Sequence, residues 1–222
     1  TTQAQLQLQL EMDLREAVES GGLELFYQPK VLLPGGDLCG AEALVRWRHP
    51  VRGMVGPLEF IPLAEERGII CDLGSWVLDE ACRQSRAWRD AHGRTVKIGV
   101  NVSAVQVQQS DLVKQVVASC YRHEVESADI EVELTESSIM DNLDEVSETF
   151  SDLRGIGVTV AVDDFGTGHS SFAYLRDLPV DVLKIDRAFI MNVENKVKDR
   201  EILKTIVTLA QALSLDVVAE GV

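Results

Sequence analysis

Positive charge is scarce in this chain: 21 lysines and arginines stand against 36 aspartates and glutamates, a net charge of −15 over 222 residues. A surface that tracks a nucleic-acid backbone needs clustered cations, so DNA and RNA are not expected as partners. A small anionic substrate stays admissible, because bound metal ions reverse the sign of a local field. Cysteine is scarce too. Cys39, Cys71, Cys82 and Cys120 are scattered without a CxxC pair, which points to the reducing cytoplasm and not to a disulfide framework. There is no signal peptide and no apolar run long enough to span a bilayer, so direct membrane insertion is not expected. His49, His92, His123 and His169 show no ligand-like spacing, which disfavours a zinc site.

What is present suits one large globular domain. Apolar residues make up 45% of the chain and charged residues 26%, ordinary values for a folded protein with a full core. The chain starts at Thr1 without Met and stops at Val222 inside a strand-like run, so it reads as a fragment. Residues 1–20 read as a Gln-rich amphipathic helix, with Leu6, Leu10 and Leu14 four apart, serving as a linker from an upstream domain or as the first helix of this one. Gly21-Gly22 ends it.

Beyond residue 20, short β-branched runs appear at 23–33, 38–47, 96–103, 130–137, 158–164, 181–186 and 215–221. The first two are joined only by Pro34-Gly35-Gly36, which suits a hairpin and an antiparallel first strand. From the second run onward helical stretches intervene, among them 73–91 and 199–214. Such alternation means a doubly wound sheet or a closed barrel. Seven strands without a glycine-rich nucleotide turn after the first favour a TIM-like (β/α) barrel with its C-terminal part missing.

Side chains alternate faces along a strand. Val96, Ile98, Val100 and Val102 share one parity, with Asn101 on the other; Val132 and Leu134 flank Glu133; Val158, Val160 and Val162 precede Asp163; Leu183 and Ile185 flank Lys184; Val217 and Ala219 alternate with Glu220. On the second strand Glu42, Leu44 and Arg46 share a face. In a barrel the apolar parity packs under helices, so Glu42, Asn101, Glu133, Asp163, Lys184 and Glu220 converge at the C-terminal mouth, where such barrels place active sites. Taken singly, an Asp or Asn at a strand end is as readily a turn former or a helix cap. Six together are harder to dismiss, since buried unpaired carboxylates are costly. Glu42, Glu133, Asp163, Asp164 and Glu220 would repel one another without cations.

Oxygen-only donors suit the hard ions Mg²⁺ and Mn²⁺. Adjacent Asp163 and Asp164 allow one carboxylate to bridge two ions, and a pair about 3.5–4 Å apart recurs in in-line displacement at phosphorus. Lys184 and Arg46 supply the positive donors that a phosphoryl group needs.

The motifs stand in order along the chain: YQP at 27–29, EALVRW at 42–47, FIPLAEERG at 60–68, NVS at 101–103, ELTES at 133–137, DDFGTG at 163–168, KID at 184–186 and AEGV at 219–222. With these, the sequence resembles the EAL-domain family of cyclic di-GMP phosphodiesterases from about Leu23 to its end. The resemblance implies metal ligation by Glu42, Asn101, Glu133 and Asp163, with Asp163 bridging to a second ion held with Asp164 and Glu220. It implies that Lys184 orients or activates the attacking water, with Glu220 contributing. Arg46 is implied to hold a phosphate, with Gln28, Leu44 and Asp186 as further substrate contacts, and Glu136 to anchor the loop 164–171.

The implied reaction is Mg²⁺- or Mn²⁺-dependent hydrolysis of cyclic di-GMP to linear pGpG, in a homodimer carrying an upstream sensory or GGDEF-type domain. His169 departs from the family's usual Tyr, and the family's final Gln-Gly-Tyr segment lies beyond Val222. Degenerate members bind cyclic di-GMP without hydrolysing it, which makes a receptor module the main alternative. A metal-dependent lyase with Lys184 as base would leave Asn101, Arg46 and DDFGTG unexplained, and a purely structural barrel would leave the charge cluster unexplained.

Overall fold

The structure, a computed structural model, describes residues 3–166, 174–191, 193 and 196–221. It falls into two compact units, Thr1–Ile130 and Glu131–Val222. All seven strand-like runs of the sequence form strands.

In the first unit helix α1 (Gln3–Ser20) leads into strand β1 (Leu23–Val31). The expected Leu6–Leu10–Leu14 face is buried only at its C-terminal end. Leu14 and Ala17 are in the core, whereas Leu6 is exposed. Strand β1 pairs antiparallel with β2 (Leu38–His49), in register from Leu23↔Trp47 to Gln28↔Glu42. The turn between them closes with the Leu32 N–H donating to the Asp37 carbonyl at 2.9 Å. Gly35 and Gly36 take φ of 136° and 79° there, values that only glycine adopts without strain.

Strand β2 also carries a three-residue partner that the sequence reading did not anticipate, β3 (Gly53–Val55). It is held by His49, whose Nδ1 accepts from the Val51 and Arg52 N–H groups while Nε2 faces Asp13 at 3.0 Å. Trp47 pairs with both Leu23 and Val55, so β3 lies on the side of β2 away from β1, the side on which β2 also pairs parallel with β4 (Lys97–Asn101).

Helices α2 (Pro57–Glu66) and α3 (Ile70–His92) follow β3, and α4 (Ala104–Gln109) and α5 (Leu112–His123) follow β4. On α3, Leu73, Val77, Leu78, Ala81 and Cys82 form one buried stripe at helical spacing. Leu14, Leu23, Trp47, Val55, Phe60, Leu63 and Ile69 make a continuous core, with Trp47 and Phe60 edge to face at 5.9 Å. Each such side chain contributes roughly 1.5–3 kcal/mol by leaving water.

The second unit is an all-parallel ladder in sequence order: β5 (Ile130–Thr135), β6 (Thr159–Phe165), β7 (Val182–Ile185) and β8 (Asp216–Ala219). Parallel neighbours need crossovers, supplied by α6 (Glu136–Asp141) with α7 (Leu143–Gly155), and by α8 (Arg187–Ile190) with α9 (Val197–Ala212). Val146, Phe150 and Leu153 on α7 are fully buried, at the spacing of one helical face. Every residue of β7 is buried, Lys184 included. Among the described residues no helix is long and apolar enough to cross a membrane.

Candidate active site

In the first unit the pleat of β2 aligns Glu42, Leu44 and Arg46, and the β1 register sets Gln28, Phe26 and Glu24 opposite them. Residues of the other parity, such as Tyr27, face the helices: Tyr27 lies edge to face with Trp88 of α3 at 4.8 Å. Asn101, at the end of β4, turns its amide toward the same carboxylate, with Nδ2 donating to Glu42 Oε1 at 2.7 Å. The amide oxygen of Asn101 is thereby left as the acceptor face of that pair. The Arg46 guanidinium donates to its own neighbour's carbonyl, Val45 O, at 2.8 Å, and lies 5.8 Å from the Phe26 ring. Phe26 had drawn no notice in the sequence. Its signal was register alone, since it stands opposite Leu44.

In the second unit side chains from β5, β6 and β7 meet that of the residue just past β8. Lys184 is fully buried and is ion-paired to three carboxylates. Its ammonium contacts Glu133, lies 3.1 Å from Asp163 Oδ2 and 2.9 Å from Glu220 Oε1. Parity explains this, because Thr135 is in register with Asp163, and Lys184 with Val218, two residues before Glu220.

Asp164 should point the other way, but the strand changes course there. Its φ is 52°, and the β6–β7 register shifts between Val162 and Phe165. A left-handed residue in a strand breaks the pleat, so two consecutive aspartates present their carboxylates together. Asp163, Asp164 and Glu220 each offer an oxygen, all within 4.8 Å of one another. Burial pushes the Asp163 carboxyl above the usual range, Lys184 draws it back, and Glu220 adds to the rise. Asp164 is pushed up by burial first, then by Asp163 and Asp186.

Burial of the two carboxyls is the first cause of these raised values, and the like charges beside them add to it. One lysine faces Glu133, Asp163 and Glu220, with Asp164 close by. The donors are all oxygens. A hard divalent cation suits that set, both by ligand type and by the charge it would neutralise.

Glu136 is buried beyond the end of β5, at the first position of α6. The cap of α6 belongs to Thr135, whose hydroxyl accepts from the Ser138 N–H. The Glu136 carboxylate instead accepts from the Gly166 N–H at 2.8 Å. Gly166 has φ of 98°, and a Cβ there would meet the Phe189 ring at 2.6 Å. The remainder of the loop 164–171, with Thr167, Gly168, His169, Ser170 and Ser171, lies outside the described residues. Tyr174, unnoticed in the sequence, is buried beside Glu136; burial and that carboxylate both push its phenol up. Asp186 caps α8, accepting from the Ala188 N–H at 2.8 Å.

A family model described as the EAL domain matches residues 11–222. The bifunctional diguanylate cyclase/cyclic di-GMP phosphodiesterase MucR of Pseudomonas aeruginosa is 47% identical over 99% of this chain, and 32% of its own length is covered. The cyclic di-GMP phosphodiesterase NbdA of the same organism is 45% identical over 97% of this chain and 28% of its own length. The chain thus spans about a third of the curated relatives it matches. Among solved structures, the MucR phosphodiesterase in its c-di-GMP complex superposes with a TM-score of 0.90 at 46% identity, over 96% of this chain and 87% of that one. The EAL enzyme Bd1971 in its cAMP- and cyclic-di-GMP-bound form gives 0.90 at 32% identity, over 100% of this chain and 61% of that one. The fold class read from the sequence, a TIM-like α/β barrel with an antiparallel first strand, is the fold of these neighbours.

Proposed function

The chain belongs to the EAL domain family, and from that premise we propose that it is a metal-dependent phosphodiesterase that hydrolyses cyclic di-GMP to linear pGpG. The observation that carries the reading is the buried Lys184 among Glu133, Asp163 and Glu220, with Asp164 turned onto the same side by its left-handed backbone. Glu42, Asn101, Glu133 and Asp163 would hold one divalent ion, and Asp163, Asp164 and Glu220 a second, each Mg²⁺ or Mn²⁺. Bound there, the ions supply positive charge to the phosphodiester and acidify the attacking water.

The chain's own groups do the rest. Lys184 holds the water in line with the P–O3′ bond, and Glu220, 2.9 Å from the ammonium, takes up its proton. The new P–O bond forms as the P–O3′ bond breaks, and the departing 3′-oxygen takes a proton from solvent water, which leaves a 5′-phosphate and a free 3′-hydroxyl. Arg46 binds a phosphate oxygen, Gln28 and Leu44 sit along the same face for the rest of the nucleotide, and Asp186 contacts it from the end of β7. Glu136 holds the start of the loop through Gly166, which keeps Asp164 in place. The parent protein is read as a cytoplasmic homodimer with an upstream sensory or GGDEF-type domain.

The test is product analysis of cyclic di-GMP incubated with this chain and Mg²⁺, Mn²⁺ or Ca²⁺. Linear pGpG with the first two and none with Ca²⁺ is expected, because the larger ion accepts looser coordination. Binding of cyclic di-GMP with no turnover in Mn²⁺ would favour the receptor-module alternative.

A further inference from the structure

The motif FIPLAEERG at 60–68 finds no use in the chemistry above, yet one of its residues reaches back to the end of β4. Glu65, on α2, accepts a hydrogen bond from the Ser103 hydroxyl, Oε1 to Oγ at 2.5 Å. Ser103 lies two residues beyond Asn101 and is the N-cap of α4. Its Oγ accepts from the Val105 N–H at 3.1 Å, and its own N–H donates to Gln106 Oε1 at 3.0 Å, a complete capping box. The hydroxyl has one proton, and Glu65 takes it. With that proton committed, the lone pairs of Oγ are left for the α4 N-terminus.

The other side of the turn is equally constrained. Gln106 is buried, and its amide lies so close to α3 that a Cβ at Gly74 would meet Nε2 at 1.8 Å. Residues 102–106 are thus gripped from α2 by a carboxylate and from α3 by contact.

Asn101 needs this more than the other ligands assigned above. Glu133 and Asp163 are buried and held by packing and charge, whereas Asn101 is exposed and is the last residue of its strand. An amide is also directional. With Nδ2 donating to Glu42 at 2.7 Å, its oxygen is the atom that would face an ion. We propose that Glu65 is a positioning residue: through the Ser103 hydroxyl it sets the 101–103 backbone so that the Asn101 amide and Glu42 stay paired and open to a metal ion. The inference rests on the reading of Asn101 and Glu42 as metal ligands.

The experiment is a titration of the chain with Mn²⁺ alone, following free Mn²⁺ by electron paramagnetic resonance, beside turnover of cyclic di-GMP against Mn²⁺ concentration. In Glu65→Ala the tightest Mn²⁺ site should weaken by about tenfold or more, the scale expected for the loss of a group that orients a ligand. Turnover should recover as Mn²⁺ is raised. Ser103→Ala should behave alike, and the double variant no worse than either single one, since both remove one link. Glu65→Gln keeps an acceptor oxygen and Ser103→Thr keeps the hydroxyl, so both should restore Mn²⁺ affinity to within about threefold of the unaltered chain, a recovery that mere loss of packing would not show.

Wild-type Mn²⁺ affinity in Glu65→Ala, with only a lower melting temperature, would overturn the inference. So would additive losses in the double variant, or an unaltered chain that binds no Mn²⁺. An unaltered chain that binds Mn²⁺ without hydrolysing cyclic di-GMP would sink the phosphodiesterase reading alone, and the titration would still decide the role of Glu65.

Discussion

The two units treat charge at their strand ends in opposite ways. In the first, Glu42 is half-buried and meets a neutral amide, and its neighbours Gln28 and Asn101 are exposed. In the second, Glu133 and Asp163 are buried and the countercharge is a lysine with no exposure at all. The first arrangement is open to solvent, whereas in the second the ammonium, with the Asp164 N–H donating to Asp163 Oδ1 at 2.8 Å, offsets the burial of charge. The difference shows why the two clusters should respond differently to substitution: one through ligand geometry, the other through the energetics of buried charge.

Lys184→Ala should therefore have the largest effect. It leaves Glu133 buried without its ion-pair partner, at a cost of about 3–5 kcal/mol in the metal-free protein. Thermal melts with and without Mn²⁺ check this: the ion should restore much of the stability and none of the turnover. A metal-free variant as stable as the unaltered chain would erase the contrast between the units.

Glu42→Ala is the counterpart in the first unit. Turnover should fall by ~100-fold or more, while the fold loses little, because a half-buried carboxylate bonded to an exposed amide carries little packing. Turnover close to that of the unaltered chain at saturating metal would remove Glu42 from the site.

Glu136 and Thr135 are neighbours, and the structure separates their duties. Glu136→Ala leaves the Gly166 N–H unanswered, which costs about 1–3 kcal/mol. It should also lower turnover about 10–100-fold, partly recovered at high Mn²⁺. Thr135→Ala removes the α6 cap, worth about 1 kcal/mol, and turnover should stay near normal. Equal loss of turnover in both would show that α6 as a whole, and not the Glu136 contact, holds the loop.

The smallest effect expected is one of pH. Asp163 has its carboxyl raised in the folded state, so its ionisation opposes folding. Its contribution to stability is present below the unfolded aspartate range and is lost as pH rises through the folded value. Asp163→Asn should remove that loss and raise the melting temperature of metal-free protein at neutral pH, while abolishing the added stabilisation by Mn²⁺. In the unaltered chain Mn²⁺ affinity should weaken on acidification, beginning above the pH at which an ordinary aspartate titrates, since ligands must be ionised. Mn²⁺ binding unchanged down to the ordinary aspartate range would contradict this.

Much of this was legible from local pattern. Period-two alternation placed Glu42, Glu133, Asp163 and Lys184 on the non-helix parity of their strands, and Pro34-Gly35-Gly36 announced the antiparallel first pair. These properties depend on neighbours one to four residues away, and short-range sterics settle them wherever the residue lies in the fold. What sequence alone left open depends on residues far apart in the chain. A parity rule sends Asp163 and Asp164 to opposite faces, and only the strained backbone of Asp164, held within the β6–β7 shift, brings them together. Glu65 and Ser103 are 38 residues apart, as Glu136 and Gly166 are 30 apart, and no spacing rule predicts either hydrogen bond. The three carboxylates around Lys184 come from β5, β6 and the residue just past β8, so the charge balance of that site exists only once the ladder of β5 to β8 has formed.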